Sequence, residues 1–287
     1  MGRLRAALAP YLLMLPGGMW LAVFFVLPMI TMLSLSLQEG DVVSGYRLTW
    51  HWQTYVDAIR TFHPQLQRSL FYGAMATIIQ IVIAYPVAYW IAFHAGTRKS
   101  VYLFVLLLPF FVSFVLRTIS WQFLLSDYGP VLGPLKHAHF LPDRFHILAT
   151  SYAVIGGLVY NYLPFMVLPI YVALERVDPA LVEAARDLYA GRAETFRRVI
   201  FPLSLPGVFA GVLMTFVPAS SDFVNASLLG GTQNTMIGNV IQNQYLVTLR
   251  YPSASALSFS VMAILLVGIF VYARALGSER VLEVATR

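Results

Sequence analysis

Cysteine is absent from the 287 residues. That excludes disulfides, thiolate metal sites and a cysteine nucleophile, and it leaves the redox compartment unreadable. Charge is scarce too: Asp, Glu, Lys and Arg make up 11% of the chain, against about 25% in soluble domains. Lysine occurs only at Lys99 and Lys136. A phosphate-cradling loop needs G-x-x-x-x-G-K-[ST]. The stretch "HAGTRKS" lacks that glycine spacing and Lys136 is followed by His137, so no nucleotide site is expected here. Carboxylates are almost missing from the apolar runs, where Asp222 is the one acidic residue.

What is there is hydrocarbon. Hydrophobic residues make up 59% of the chain, with mean hydropathy +0.71. Crossing a bilayer takes about 20 apolar residues per helix. Six runs reach that length: Tyr11 to Leu37, Ser69 to Phe93, Tyr102 to Leu125, Ile147 to Leu174, Leu203 to Leu228 and Ala254 to Ala273. They predict an all-α membrane protein of six transmembrane helices, one domain over residues 1–287. Arg3 and Arg5 before the first run also fit a signal peptide, but the run is long for one and no A-x-A site follows. The uncharged segment "GGTQNTMIGNVIQNQYLVTL" is dense in Asn, Gln and Thr, so it reads as an outer loop with a short helix and not as a seventh span.

With the N-terminus inside, most of the 19 basic residues fall in the cytoplasm, among them Arg98, Lys99, Arg176, Arg186, Arg192, Arg197, Arg198 and Arg274. The positive-inside rule then places both termini there. The net charge of +6 is thereby accounted for without nucleic acid. Pro28, Pro86, Pro109, Pro164, Pro169 and Pro218 interrupt the spans. Each removes a backbone donor and can kink its helix, although proline is also commoner in membrane helices generally.

One charged island stands out, "EAARDLYAGRAETFRRVIFP" at residues 183–202. Asp178 can cap a helix that begins at Pro179, and Gly191 can close it in the left-handed conformation. A second short helix is expected from Ala193 to Phe201, stopped before Pro202. On the first helix Leu181, Ala184, Ala185 and Leu188 share a face, with Glu183, Arg186 and Asp187 elsewhere. Physics alone allows such a helix to lie on lipid headgroups.

Glu183, Ala184, Ala185, Ala190, Phe196, Val199, Pro202, Leu203 and Pro206 are spaced as in the EAA motif, and the island resembles the coupling loop of ABC importer permeases. The resemblance implies a type I ABC importer permease fold in a bacterial inner membrane. Residues 175–202 would form a cytoplasmic coupling loop, its coupling helix seated in a groove of an ATPase through Glu183, Ala184, Ala185, Asp187, Ala190, Gly191, Arg192 and Phe196. It also implies two ATPase subunits, which bind the ATP and Mg, a sibling permease and an extracytoplasmic substrate-binding protein. This chain would hold no cofactor and catalyse no reaction. Tyr189 departs from the motif, which has glycine there; Gly191 is expected to supply the turn two residues later.

The stretches "RTISW" (117–121), "LLSDYGP" (124–130), "DFVNASLLGG" (222–231) and "IGNVIQNQ" (237–244) resemble the spermidine/putrescine branch. Permeases for ferric iron, thiosulfate or sulfate share the architecture. A polyamine site needs carboxylates and aromatic faces. Asp222, Asn225, Trp121, Tyr128, Asp127 and Arg117 are the candidates. Asp222 fits a substrate ammonium, but it fits equally a packing role, paired with Arg117 or a partner subunit. Arg117 can also snorkel to the outer interface, and Trp121 and Tyr128 suit an ordinary interfacial belt. His137, His139 and His146 read as a solvated loop and not as a metal site. An intramembrane enzyme would need a nucleophile with its base or ligands at membrane depth, and no histidine lies deep in a span. A secondary transporter usually shows inverted repeats and several membrane carboxylates.

Overall fold

The computed structural model of the protein describes residues 14–142 and 144–275. The start of the first predicted span and Arg3, Arg5, Arg280 and Arg287, which bear on the termini, lie outside the described residues. In chain order the elements are α1 (Met14–Ser36), β1 (Gln38–Asp41), β2 (Gly45–Leu48), α2 (Gln53–His94), α3 (Gly96–Phe111) and α4 (Phe114–Leu124). There follow α5 (Leu132–His137), α6 (Ser151–Glu175), α7 (Pro179–Asp187), α8 (Arg192–Ser220), α9 (Val224–Leu229), α10 (Ile237–Leu246) and α11 (Tyr251–Ala275). The helices α1, α2, α6, α8 and α11 are long and apolar enough to cross a membrane, and the bent pair α3–α4 makes a sixth crossing if counted as one.

Contacts divide the chain into two compact units: residues 1–63 with Ile241–Ile264, and Pro64–Val240 with the C-terminal remainder. In the first unit the sequence reading missed the antiparallel hairpin β1–β2, in register from Gln38↔Leu48 to Asp41↔Gly45. Its turn is built by Asp41, whose carboxylate accepts the N–H groups of Val43 (2.8 Å) and Ser44 (2.6 Å) and the Ser44 hydroxyl (2.8 Å). These bonds, those from Ser44 first, hold the Asp41 pKa below its ordinary value. Helix α2 begins sixteen residues before the predicted start at Ser69. It kinks at Phe62, two residues before Pro64. Pro64 cannot donate to the Arg60 carbonyl, and the His63 ring nitrogen Nδ1 takes that acceptor at 2.9 Å.

The second unit carries two buried clusters. One gathers Ala84, Ala88 and Ile91 of α2 with Met166, Ile170 and Leu174 of α6 and Ile200 of α8. The other gathers Tyr72 and Ala76 of α2, Val154 and Leu158 of α6, Ala219 of α8, Ala226 and Leu229 of α9, and Met236. Glycines let α6 and α8 approach closely, as small residues do between membrane helices. A Cβ on Gly207 would sit 2.5 Å from the Pro169 carbonyl oxygen, and one on Gly211 2.6 Å from the Met166 sulfur.

Two predicted spans are not continuous. The third, Tyr102 to Leu125, is broken by an 89° bend between α3 and α4. Pro109 stands in a tight last turn of α3 and Val112 is extended, so the helical ladder cannot pass through. The fifth, Leu203 to Leu228, ends at Ser220 and resumes as the separate helix α9. Conversely, the second island helix does not stop before Pro202. A π turn at Phe196–Ile200 leads directly into the following helical segment; its i→i−5 bond from Phe201 to Phe196 shifts the ladder just before Pro202, which is how the proline is accommodated without ending the helix.

Candidate functional site

Asp222 lies between the end of α8 and α9 and not inside a continuous span. Its carboxylate is buried. Oδ1 accepts the Asn225 backbone N–H at 2.8 Å, so Asp222 caps the first turn of α9. Oδ2 accepts the Asn225 side-chain amide at 2.8 Å and the Tyr162 hydroxyl at 2.9 Å. The network continues inward: the Asn161 amide donates to Asn225 Oδ1 and to the Thr118 hydroxyl, each at 3.1 Å. Thr118 in turn donates to the Phe114 carbonyl at 3.1 Å. One polar chain thus ties the bent α4 to α6 and to the short helix α9.

Arg117 is buried in the same elbow instead of reaching outward. Among the described residues it makes no ion pair with Asp222. Its guanidinium lies 4.3 Å from the centre of the Phe110 ring and 5.8 Å from that of Phe114, a cation–π arrangement across the bend. Asn161, Thr118 and Tyr162 went unnoticed in the sequence reading, which looked for carboxylates and for aromatics near the outer ends of spans. The available signal was an amide in the middle of a span, "YNYLP", because an uncharged polar residue at that depth needs a partner helix.

The remaining pathway candidates separate. Trp121 packs edge-on to Tyr160 at 5.3 Å. Tyr128 is 97% exposed. Asp127 sits in a charge cluster, with Oδ1 2.8 Å from Lys136 Nζ and Oδ2 2.6 Å from His146 Nδ1. Lys136 above all, then His146, holds the Asp127 pKa below its ordinary value. His146 is therefore engaged with a carboxylate and not simply solvated. No group of three potential metal ligands occurs among the described residues.

In the charged island Asp178 caps α7 as expected, its Oδ1 accepting the Ala180 N–H at 2.8 Å. The closing turn differs from the expectation. The Ala190 N–H returns to the Ala185 carbonyl (3.0 Å) and the Tyr189 N–H to the Arg186 carbonyl (2.9 Å), the paired bonds of a Schellman turn. Tyr189 itself takes the left-handed position, φ +60°. Gly191, at φ −67°, is instead the cap residue of α8. The reason is register: the paired bonds require the left-handed residue two places beyond the last helical residue, Asp187, and Tyr189 stands there.

Phe196 points inward, edge-on to Tyr85 at 5.7 Å and to Tyr89 at 5.8 Å, and so anchors the loop to α2. Glu183, Ala184, Asp187, Gly191 and Arg192 are exposed, with Ala185 and Ala190 half-buried. Leu181 and Leu188 are exposed too. The apolar face of α7 is therefore uncovered; Val182 is the residue that packs against the core.

A family model described as the inner membrane component of binding-protein-dependent transport systems matches residues 68–276. The chain belongs to this family. The spermidine/putrescine transport system permease protein PotB of Haemophilus influenzae is 36% identical over 257 residues, covering 89% of this chain and 90% of that protein. PotB of Escherichia coli K12 is 34% identical, covering 89% and 94%. Among solved structures, a bacterial ABC transporter involved in the import of the acidic polysaccharide alginate aligns with a TM-score of 0.77 at 18% identity, covering 96% of this chain and 98% of that one. The MetNI methionine ABC transporter aligns at 0.54 with 16% identity, covering 78% and 95%. The protein is thus the permease of an ABC importer, a multi-pass inner-membrane protein with the permease fold.

Proposed function

We propose that this permease forms half of the translocation pathway for a polyamine cation, spermidine or putrescine. The observation that carries the reading is its identity to permeases named for those substrates over 89% of the chain. It works with a sibling permease, an extracytoplasmic binding protein and two ATPase subunits, which bind the ATP and Mg. The permease holds no cofactor of its own and makes or breaks no bond. Both termini and the island lie in the cytoplasm, and α7 docks on the ATPase. The exposed Glu183, Asp187 and Leu188 and the inward anchor Phe196 support that assignment, because they leave a polar-rimmed apolar face on a rigidly held helix. On the other side, Trp121 and Tyr128 offer aromatic faces to a passing ammonium, with Asp127 beside them. Asp222, Asn225 and Arg117 act one step back, setting the angle at which α4 and α9 meet the path.

The test is reconstitution of the complete importer in vesicles. Spermidine or putrescine, presented by the binding protein, is expected to stimulate ATP hydrolysis and to be taken up. Stimulation by ferric iron, thiosulfate or sulfate instead would reassign the substrate. Uptake by this chain without ATPase subunits would make it a secondary transporter.

A further inference from the structure

A cleft of about 320 Å³ opens beside the island. Arg186 of α7, Arg192 of α8 and His94 at the end of α2 line it, and no Asp or Glu does. Neither guanidinium has a hydrogen bond or ion pair among the described residues. The nearest carboxylate in sequence to Arg192, Glu194, is occupied by Arg198 at 3.0 Å. The cleft also receives the start of α8, a helix of 29 residues. Its cap residue Gly191 has no side chain to accept the first N–H groups, which carry the positive end of the helix dipole.

A second observation points the same way. Thr195, in that first turn, lines the cleft and is 4% exposed, and its hydroxyl has no hydrogen-bond partner. Thr118 and Thr215 satisfy theirs by donating to the carbonyl four residues earlier. Thr195 does not, and so retains a desolvated donor at the cleft wall.

We propose that this cleft binds a phosphate group, and specifically the phosphate of an anionic membrane lipid. Two planar guanidinium forks, a hydroxyl and free helix N–H groups match a group with several oxygens, where a single carboxylate would leave donors unused. The lipid source follows from level. Helix α2 ends at His94, one residue past its apolar run, and Tyr89 and Phe93 of that run line the cleft, so it adjoins the level at which a membrane-crossing helix emerges. Basic clefts between spans at that level suit acidic headgroups. Tyr89 and Phe93, also in the lining, give an apolar wall for the start of the acyl chains. The site shares Arg192 and the face of α7 with the ATPase assignment above, and a test run on the chain without ATPase subunits separates the two.

The test uses the full chain purified in neutral detergent. Phosphatidylglycerol, phosphatidylcholine and inorganic phosphate are titrated separately, with binding read by native mass spectrometry and by the thermal unfolding midpoint. One phosphatidylglycerol is expected to bind and raise the midpoint, with phosphatidylcholine ineffective. Arg186→Ala and Arg192→Ala are each expected to weaken the lipid by about tenfold. Arg192→Lys and Thr195→Val, which disturb the fold least, are expected to weaken it by several-fold. Equal phosphatidylglycerol affinity in the wild type and in Arg192→Lys, Thr195→Val and the folded alanine variants would overturn the site. Inorganic phosphate held at the same residues and not displaced by phosphatidylglycerol would overturn the lipid assignment in favour of a soluble phosphate.

Discussion

The two ends of the α6–α8 pair treat polar groups in opposite ways. At one end, Asp222 is buried and receives three donors, and the amides of Asn161 and Asn225 link it to the bend in α4. At the other, Glu183, Arg186, Asp187 and Arg192 stand exposed, with no side-chain partner among the described residues, beside a tyrosine held in a left-handed turn. The contrast follows from solvent. Within the hydrocarbon layer an unpaired polar group costs several kcal/mol, so the fold supplies partners to Asp222, while Arg117, whose Nε and Nη1 find no hydrogen bond among the described residues, rests against the Phe110 ring. Where helices emerge, water satisfies the same groups at little cost, and they stay available to another molecule. The buried network therefore reads as construction and the exposed island as contact.

The largest expected effect tests the exposed end. Glu183→Lys should abolish uptake while the protein still inserts, since removing one partner of a desolvated charged contact costs on the order of 2 to 5 kcal/mol. Normal uptake and normal ATPase association in this variant would return α7 to the lipid surface and erase the contrast. At the buried end, Asp222→Asn sets an amide donor against donors of Asn225 and Tyr162. It should lower stability by about 1 to 3 kcal/mol, read as a fall in the unfolding midpoint of the purified protein. Wild-type unfolding with loss of cation uptake alone would make the carboxylate part of the pathway.

Tyr189→Gly should have a smaller, opposite effect. It relieves a left-handed cost of about 1 to 2 kcal/mol and gives part of it back in unfolded-state freedom. The net gain should be at most about 1 kcal/mol by thermal unfolding, and a loss would mean that the ring makes contacts of its own. The smallest effect is a pH dependence at Asp127. Its folded pKa is depressed, chiefly by Lys136, so its stabilising contribution is complete above the unfolded value of about 3.9 and is lost as pH falls through the folded one. Asp127→Asn should flatten that acid limb slightly; an unchanged limb would mean that other carboxylates set it.

Much of this was legible along the chain. Apolar runs marked the long helices because bilayer thickness dictates their length, and the Asp178-Pro179 cap was readable because capping is a local bond. The broken crossings were not legible as such. "LPFFVSF" and "VPASSDFVN" are apolar or neutral enough to pass as span, and their breaks depend on backbone angles that hydropathy does not encode. The hairpin β1–β2 escaped because four-residue strands carry too little alternation to register.

The sequence by itself determined a multi-pass helical membrane protein without a phosphate-binding loop, with one charged segment exposed between spans, because these follow from composition and from spacing over a few turns. Only the structure decided that Asp222 caps α9 and is enclosed by Tyr162, that Arg117 lies against Phe110 at an 89° bend, and that Tyr189 and not Gly191 turns the charged island. The enclosure of Asp222 depends on which distant segments meet, whereas the bend at Arg117 and the turn at Tyr189 are set by backbone angles that hydropathy does not encode. A hydrogen bond from residue 161 to residue 225 has no trace in local periodicity, and it forms only once packing has brought α6 and α9 together.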